Sequence, residues 1–479
     1  MTAQYAFQFD ARYCSGCKAC QAACKDKNQL PPGVLWRRVM EVSGGSWQAE
    51  GAAWNHTVFA YNLSLSCNHC VHPKCAGICP TNAYTVREDG IVILEEEKCM
   101  GCGYCAWGCP YNVPQYNPVT GHMTKCDFCF DNLEKGLEPA CVAACPLRAL
   151  HKIDMSAPSS PFAQEIRLWE APSDTHPYPL PAYSHTQPRL AIWLHRAMGS
   201  TADKFLANAE EIQLRPPSPW EDVPLFLFTL LGQTAVGAAW AMAWMFTPLW
   251  TLVSFDATIL RLTPLFLILI CLAAGMLASL AHLGAKRNIW RVFGNIRRSS
   301  LSKEVLFTGL FGFGVLMMLL QVVFNEDLFL STAFAAAAGL GLVYNMAQVY
   351  RLPAAPGWNN WRTQAGFFTS AFLLGIMILL PVLVYESSIT GIQIANPQKI
   401  AIGISILVLL LAQLLLTRKR SNRIQQQRVR IGLILLAMIP ALGVSIPIGH
   451  NFGWLSVLLL LSVIAEESLG RWLFYRSRT

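Results

Sequence analysis

Cysteine spacing constrains this chain more than any other feature of its 479 residues. Sixteen of the 17 cysteines lie between Cys14 and Cys145 and form four quartets. The quartets are Cys14, Cys17, Cys20 and Cys24; Cys67, Cys70, Cys75 and Cys79; Cys99, Cys102, Cys105 and Cys109; and Cys126, Cys129, Cys141 and Cys145. The first and third read C-x2-C-x2-C-x3-C, whereas the second and fourth carry extra residues before the closing C-x3-C. Three closing cysteines are followed by Pro80, Pro110 and Pro146.

This spacing is the bacterial ferredoxin pattern, in which three thiolates of one quartet and one of another hold an iron–sulfur cluster. Sixteen thiolates at four per cluster predict four [4Fe-4S] clusters and a domain that transfers single electrons. A disulfide framework does not need such tightly spaced runs, and zinc sites use separated cysteine pairs, often with histidine. The remaining cysteine, Cys271, lies in an apolar stretch and is expected to be a small buried residue.

One turn predicts how the quartets pair. Residues 83–94 contain two short alternating runs around Asp89-Gly90, which predicts a β-hairpin between the second and third quartets. Such a hairpin is typical of one two-cluster ferredoxin unit, so these quartets pair locally and the first pairs with the fourth. Exchange of closing cysteines then predicts four ligand sets: Cys14, Cys17, Cys20 and Cys145; Cys24, Cys126, Cys129 and Cys141; Cys67, Cys70, Cys75 and Cys109; Cys79, Cys99, Cys102 and Cys105. The predicted fold of residues 1–155 is an α+β ferredoxin-like domain of two double-cluster units.

The second half of the chain is too apolar for an ordinary soluble protein; the whole chain is 53% hydrophobic and only 14% charged. Eight apolar stretches of near membrane-spanning length lie at 223–246, 264–283, 304–324, 328–350, 364–384, 398–417, 430–448 and 453–473. Buried helices of a large soluble protein are the alternative. Eight such stretches in succession, joined by short loops, favour an all-α bundle of eight transmembrane helices over residues 223–479.

Loop charge predicts the orientation of this bundle. Loops on the side that precedes the first span carry 17 Lys and Arg residues, whereas the opposite loops carry only Arg261 and Lys399. The basic side is expected to face the cytoplasm, so the iron–sulfur domain and the C-terminus are expected on the cytoplasmic side of the inner membrane. Residues 1–12 show no apolar signal core, and none follows Arg37-Arg38. The net charge of +8 belongs to the membrane half, where it favours anionic lipid and requires no nucleic acid.

A proline-rich connecting arm over residues 156–222 joins the two halves. It carries Trp169, Tyr178, Tyr183 and Trp193, which a simple flexible tether would not need. We expect the arm to pack either on a partner subunit or on its own iron–sulfur domain, with a short helix over 200–213.

Histidine placement predicts how electrons enter. Only His282 and His450 lie in or beside the spans, at opposite faces of the predicted bundle, so they cannot share a haem and none is predicted. The donor is then expected to be a lipid-soluble two-electron carrier, of which quinol is the obvious one.

His282 and Glu304 are the candidate quinol residues because they lie at the cytoplasmic ends of the second and third spans. The ordinary alternatives are a histidine that meets head groups and a carboxylate at a helix start. Arg287, Asn288 and Arg291 are expected either to tune this pocket or to contact lipid. Glu466 and Glu467, late in the eighth span, are weaker candidates that an interfacial position would explain.

These motifs resemble those of a known family. Residues 1–155 resemble the four-cluster electron-transfer subunit of dimethyl sulfoxide reductase and related molybdenum enzymes. The motifs that carry this likeness are Cys14-Ser-Gly-Cys17-Lys-Ala-Cys20, Cys67-Asn-His-Cys70, Cys99-Met-Gly-Cys102-Gly-Tyr-Cys105 and Lys125-Cys126-Asp-Phe-Cys129. From residue 223 the chain resembles the eight-helix anchor of the same enzyme, through His282-Leu283-Gly284 and Ser302-Lys303-Glu304. In that family the two parts are separate polypeptides, and their fusion here keeps both at high effective concentration.

The resemblance implies an electron-transfer and anchor subunit of anaerobic respiration, and an enzymatic role only as part of a complex. It implies a large catalytic partner with a molybdenum bis-pterin centre, and menaquinol as the donor to the cluster on Cys79, Cys99, Cys102 and Cys105. Electrons would leave through the cluster on Cys14, Cys17, Cys20 and Cys145. Nitrate reductase relatives have tryptophan and a three-iron cluster where this chain has Cys102, so all four clusters are expected to be complete.

Two alternative functions fit the same motifs. In one, electrons flow in reverse, from an oxidising partner to quinone. In the other, the chain is a membrane adaptor without quinone chemistry. The terminal acceptor is open among sulfoxides, N-oxides and other oxyanions.

Overall fold

The computed structural model describes residues 3–51, 53–56, 58–157, 159–160, 180–181, 183–193, 222–245, 258–324, 328–390, 396–417, 424–445 and 452–476. The chain packs into two compact units. Unit 1 comprises Met1–Pro216 and Leu283–Arg298, and unit 2 comprises Pro217–His282 and Ser299–Thr479.

Unit 1 is built from short elements. Its strands are β1 (Tyr5–Asp10), β2 (Arg38–Gly44), β3 (Trp47–Glu50), β4 (Ala53–His56), β5 (Phe59–Leu65), β6 (Tyr84–Val86), β7 (Val92–Leu94), β8 (Gln115–Tyr116), β9 (Met123–Thr124), β10 (Leu150–Asp154) and β11 (Leu190–Trp193). Its helices are α1 (Ala19–Lys27), α2 (Lys74–Ile78), α3 (Tyr104–Gly108), α4 (Phe130–Glu134) and α5 (Ala140–Ala143). Short 3-10 helices cover Glu96–Lys98, Tyr183–His185 and Lys286–Asn295.

The main sheet of unit 1 joins three distant parts of the sequence. β1 pairs antiparallel with β10 and parallel with β11, so that Phe7 lies opposite both Lys152 and Leu190. Phe7 and Phe9 are each 1% exposed and form the core of this unit with Phe128. The pairs β2–β5, β3–β4, β6–β7 and β8–β9 are antiparallel ribbons.

The described part of the connecting arm packs within unit 1. β11 completes the main sheet, and the Thr186 hydroxyl is 2.9 Å from that of Tyr111. The backbone amide of Val71 donates to the carbonyl of Gln187 at 3.0 Å. Of the two expectations for the arm, packing on its own iron–sulfur domain therefore holds around residues 180–193. The helix expected over 200–213 lies outside the described residues, and the domain limits stay predictions.

The hairpin predicted between the second and third quartets is present. β6 and β7 pair antiparallel with Tyr84 opposite Leu94. Gly90 adopts a φ of 82°, which glycine accommodates at no steric cost, and the Ile91 amide donates to the Asp89 carboxylate at 3.0 Å. The turn that sets the pairing of the quartets is therefore encoded locally.

Unit 2 has a helix over each of the eight predicted apolar stretches. These are α6 (Val223–Met245), α7 (Thr258–Ala281), α8 (Ser300–Val323), α9 (Phe329–Tyr350), α10 (Trp361–Thr390), α11 (Asn396–Thr417), α12 (Ile424–Ser445) and α13 (Phe452–Arg476). Within the described residues six, α6 to α11, are long and apolar enough to cross a membrane. The chain is thus a multi-pass membrane protein, and crossing by α12 and α13, which carry more charge, stays a prediction.

Helix packing in unit 2 uses small residues and a capped start. The backbones of α6 and α10 approach closely at Gly237 and Gly375, where any added side chain would overlap the facing helix. The helix α8 begins after Ser299, whose hydroxyl accepts from the amide of Ser302 at 3.4 Å. This cap places Glu304 in the second turn of α8.

Candidate iron–sulfur and quinol sites

The four cysteine loops share one backbone feature. The residue before the second cysteine of every quartet has a positive φ: Gly16 at 74°, His69 at 41°, Gly101 at 71° and Phe128 at 66°. The third residue after each Cys-Pro closing cysteine does the same: Asn82, Asn112 and Arg148 lie at 49° to 50°. Successive backbone turns of this kind aim N–H groups into a concave space that suits an anionic group. The two glycines take this conformation freely, whereas His69 and Phe128 adopt it at a cost.

Two of the predicted ligand sets line cavities. Cys67, Cys70, Cys75 and Cys109 line one cavity together. Cys14, Cys17, Cys20 and Cys145 line another. Each set contains three cysteines from one quartet and the closing cysteine of another. The structure therefore brings these eight residues together in the predicted crossed arrangement.

The cysteines of the other two predicted sets lie near one another. Cys24 lies within electrostatic reach of Cys129 and Cys141, and Cys126 lies within reach of Cys24 and Cys141. Cys105 has Cys79, Cys99 and Cys102 around it. The closing Cys79 of the second quartet thus joins the third quartet.

The cysteine thiols are buried in surroundings that disfavour a free thiolate. Burial raises the pKa of the Cys24, Cys70 and Cys102 thiols to about 12 and that of the Cys109 thiol to about 11. Such thiols become thiolates when a strongly positive centre binds them. These thiols would therefore act as thiolate ligands only with a cationic group bound to them.

Backbone amides point at the sulfurs. The amide of Gly101 donates to Cys99 Sγ at 3.3 Å, that of Ala83 to Cys79 Sγ at 3.4 Å, and that of Ala149 to Cys145 Sγ at 3.2 Å. Within the described residues no three His, Cys, Asp or Glu side chains converge on a point suited to a single metal ion. The sulfurs instead surround wider spaces with N–H donors at their edges, which fits a cubane iron–sulfur cluster.

Buried cations accompany the cysteines, and sequence reasoning missed them. Arg37 is 2% exposed; it donates to the carbonyl and hydroxyl of Ser64 at 3.2 Å and to the Ser66 hydroxyl at 2.8 Å. Its guanidinium lies 4.6 Å from the centre of the Phe7 ring. The cysteines within its electrostatic reach are Cys20, Cys24, Cys126 and Cys141, which belong to two ligand sets. Sequence reasoning considered Arg37-Arg38 only as a possible export signal and excluded that role. A single buried arginine leaves no periodic pattern in the sequence by which its burial could be predicted.

Two further cations lie near the set of Cys67, Cys70, Cys75 and Cys109. Arg38 donates to the Tyr111 carbonyl at 2.9 Å and lies within electrostatic reach of Cys109. Lys125 donates to the Cys126 carbonyl at 2.9 Å and lies within reach of Cys75. Fixed positive charge beside an anionic cluster stabilises its reduced state.

The side chain of Asn288, in the loop between α7 and α8, has a different environment from the one predicted. This residue was expected to tune a quinol pocket or to contact lipid. It is instead 6% exposed and donates to the backbone carbonyls of Glu97 and Cys99, both in unit 1. The Arg291 guanidinium lies 4.5 Å from the Trp290 ring centre. A role of Arg287 or Arg291 in a quinol pocket stays a prediction.

The two candidate quinol residues lie in unit 2 on successive helices. His282 is half-buried directly after α7, and Glu304 is 3% exposed in α8. Glu304 lies within electrostatic reach of Tyr350, whose hydroxyl is 2.7 Å from that of Tyr475. No hydrogen bond or ion pair joins His282 to Glu304 within the described part of the chain. His450, the other histidine near the predicted spans, lies outside the described residues.

Glu466 and Glu467 are both buried, at 0% and 2% exposure. Glu466 forms an ion pair with Arg430 at 2.7 Å. Glu467 accepts from the Ser370 hydroxyl at 2.8 Å and from the Gln413 amide at 2.6 Å. An internal polar network therefore engages these carboxylates.

Comparison with known proteins gives the family. Residues 58–154 match the family described as a 4Fe-4S dicluster domain, and residues 217–476 match the dimethyl sulfoxide reductase anchor subunit family, DmsC. The fold and site thus define a membrane-anchored iron–sulfur electron-transfer protein. The second match covers more than half of the chain, so the chain belongs to the DmsC anchor family and carries an iron–sulfur subunit fused ahead of it.

Relatives of the first part are chains of reductases, one of which is named an electron transfer subunit. The B subunit of the anaerobic dimethyl sulfoxide reductase of Escherichia coli (strain K12) is 44% identical over 215 residues, 44% of this chain and 100% of that protein. The B subunit of the polysulfide reductase of Wolinella succinogenes is 40% identical over 161 residues, 33% of this chain and 81% of that protein. The thiosulfate reductase electron transfer subunit PhsB of Salmonella typhi is 41% identical over 151 residues, 31% of this chain and 76% of that protein.

Proposed function

We propose that this chain oxidises membrane menaquinol and passes the electrons singly to a separate molybdenum bis-pterin subunit that reduces an acceptor such as dimethyl sulfoxide. The observation that carries the proposal is that two of the predicted crossed sets line shared cavities, while the cysteines of the other two lie within electrostatic reach of one another. The names of the relatives, which are reductases of a sulfoxide, thiosulfate and polysulfide, support flow from quinol towards the acceptor.

The four cysteine sets are the proposed ligands of four [4Fe-4S] clusters, which accept and donate one electron each when bound. The chain contributes thiolates, backbone N–H donors to the sulfurs, and buried cations that include Arg37, Arg38 and Lys125. Electrons are proposed to enter at Cys79, Cys99, Cys102 and Cys105 and to leave at Cys14, Cys17, Cys20 and Cys145. The count of clusters is tested by iron content, expected at about sixteen atoms per chain.

His282 and Glu304 are the proposed proton acceptors. Oxidation of a quinol to a quinone releases two electrons and two protons, so a site needs bases as well as an electron acceptor. An imidazole nitrogen of His282 is proposed to take one hydroxyl proton, and the Glu304 carboxylate to take or relay the other. A haem has no place in this scheme, because the entry cluster takes the electrons directly.

The quinol step is tested on the anaerobically purified full chain in liposomes that contain a menaquinol analogue. His282→Phe removes the base and should leave iron content and reduction by dithionite unchanged while abolishing reduction by the quinol. His56→Phe, at an exposed position of unit 1, is the matched control and should keep the wild-type rate. Wild-type rates in both His282→Phe and Glu304→Gln would place the site elsewhere, with Glu466 and Glu467 next.

The proposed orientation puts unit 1 and the C-terminus in the cytoplasm. The loops on that side carry 17 Lys and Arg residues, whereas the loops on the opposite side carry two. A reporter fused after Thr479 should be active only in its cytoplasmic form. Activity of a periplasmic reporter at the same position would contradict this orientation or the count of eight spans.

A further inference from the structure

Two buried asparagines of the segment between α7 and α8 bind the backbone beside one cysteine set. Nδ2 of Asn288 donates to the carbonyls of Glu97 at 2.9 Å and Cys99 at 2.8 Å. Nδ2 of Asn295 donates to the carbonyls of Gly77 at 3.2 Å and Cys79 at 2.9 Å. An amide nitrogen carries two protons, so each asparagine contacts two carbonyls that lie two residues apart. In both cases the second carbonyl belongs to a proposed cluster ligand.

The bound carbonyls share a structural origin. Cys79 follows the last residue of α2, and Cys99 follows the 3-10 helix Glu96–Lys98. The last carbonyls of a helix have no partner within that helix and need another donor. Asn288 and Asn295 supply these donors, and they are 6% and 8% exposed, so water does not replace them readily.

Other contacts dock the same segment at both of its ends. The Ala285 amide donates to the Met100 carbonyl at 3.1 Å, and the Asn82 side-chain amide donates to the Gly294 carbonyl at 2.8 Å. A side chain at Gly284 would overlap the Gly121 carbonyl and come within 2.7 Å of the Tyr116 hydroxyl. The segment is therefore seated on the loops of Cys79 and Cys99, and its fit requires glycine at position 284.

The other cysteine sets offer a contrast. Asn28 donates to the Cys24 carbonyl at 2.8 Å, and Asn62 donates to the Cys14 carbonyl at 3.3 Å. These asparagines come from the first 155 residues and each contacts the carbonyl of one ligand. Asn288 and Asn295 instead reach across about 200 residues of sequence and hold ligands of two different quartets from one 3-10 helix.

We propose that Asn288 and Asn295 are positioning residues that hold Cys79 and Cys99 in one frame and thereby set the reduction potential of their cluster. This inference rests on the proposed function, in which Cys79, Cys99, Cys102 and Cys105 hold the cluster that quinol reduces. If either carbonyl shifts, the N–H donors to Cys79 Sγ and Cys99 Sγ, from Ala83 and Gly101, shift with it. Hydrogen bonds to cluster sulfurs are one of the protein's controls on potential.

The test uses the full chain, purified anaerobically, with each cluster followed by EPR during a chemical redox titration. Asn288→Ala and Asn295→Ala each remove both donors, whereas Asn288→Asp and Asn295→Asp keep the shape and replace donors by acceptors. Asn62→Ala is the matched control, because it removes an asparagine donor from a ligand carbonyl of a different set.

The expected result is selective. Each variant at 288 or 295 should shift the redox equilibrium of the Cys79/Cys99/Cys102/Cys105 cluster about tenfold, or about 59 mV for one electron. The other three clusters should titrate as in the wild type, while Asn62→Ala should alter only the cluster on Cys14. Selective loss of iron from the first of these clusters would also support the proposal.

Two results would overturn the positioning role. One is an unchanged potential and line shape for that cluster in the Asp and Ala variants. The other is loss of all four clusters together, which would mean a general role in folding. The titration uses chemical reductants, so it is independent of quinol: failure of the proposed function would appear as unaltered quinol reduction in His282→Phe and Glu304→Gln.

Discussion

The two units differ in how their backbone N–H and C=O groups find hydrogen-bond partners. In unit 1 the helices near the cysteines are four to nine residues long, and β8 and β9 have two residues each. Isolated helices shorter than about 12–15 residues are marginal in water. In unit 2 the helices have 22 to 30 residues and pair their own carbonyls and amides. The comparison indicates that the order of unit 1 depends on what its cysteines bind, whereas the order of unit 2 does not.

Removal of iron is the strongest way to break this comparison. A chelator can remove the clusters under reducing, anaerobic conditions. Residues 14–145 should then lose protection from hydrogen exchange by several orders of magnitude, because the buried cysteines are no longer joined through a cluster. Helices α6 to α13 should keep theirs. Exchange measured by mass spectrometry on the chain in detergent checks both units at once, and retained protection around Cys67–Cys109 would contradict the dependence.

Loss of one ligand should have the next largest effect. Cys102→Ser should release or damage one cluster and lower quinol-driven turnover by at least about 100-fold, since changes to residues that only support metal ligands already cost 10–100-fold. Electron donors that feed the other clusters should still work. Cys271→Ser, a buried cysteine in α7 outside all four sets, is the control and should retain full iron content. Equal loss of iron in both variants would remove the distinction between the two kinds of cysteine.

A buried ion pair sharpens the comparison on the side of unit 2. Glu466→Ala leaves Arg430 without its 2.7 Å partner and should lower the free energy of unfolding by about 3–5 kcal/mol. The double change Arg430→Leu with Glu466→Leu should cost much less, because no charge stays unpaired. Thermal unfolding in detergent gives both values, and equal losses would show that the pairing itself contributes nothing. Iron content should stay unchanged in both proteins.

The smallest effect is expected at a turn of unit 1. Gly90→Ala places a side chain at a φ of 82° and against Arg189, which should cost about 1–2 kcal/mol. Gly33→Ala has a similar φ of 86° in open space and isolates the backbone cost from the contact. Chemical unfolding of the iron-loaded protein measures the difference. If Gly90→Ala lowered the free energy of unfolding by more than iron removal does, the expected ranking of these effects would be wrong.

Local patterns predicted most of the fold. The Asp89-Gly90 hairpin appears where alternation and turn residues place it, and each of the eight apolar stretches is helical. These two features are short-range, so neighbouring residues largely determine them. The crossed cysteine sets were instead predicted by elimination, because they join residues as distant as Cys14 and Cys145.

Long-range partners were not predictable in the same way. The parallel pairing of β1 with β11 joins residues about 180 positions apart, and nothing in either strand specifies the other. Arg430 lies 36 residues before Glu466, so the sequence could not distinguish a paired carboxylate from a quinol base. Asn288 and Asn295 act through backbone carbonyls, which every residue has, and for that reason no motif marks their targets.

The docking of residues 283–298 into unit 1 also has a temporal side. The ribosome delivers the chain from its N-terminus, and domains tend to fold as they emerge. Every cysteine of the four quartets, as well as β11, is delivered before α6, yet Asn288 and Asn295 follow α7. The hydrogen bonds described for the cysteines of three sets thus all come from residues that precede the first membrane helix. The fourth gains its asparagine donors only after two helices are synthesised, which makes its completion a late step that reports on insertion of the anchor.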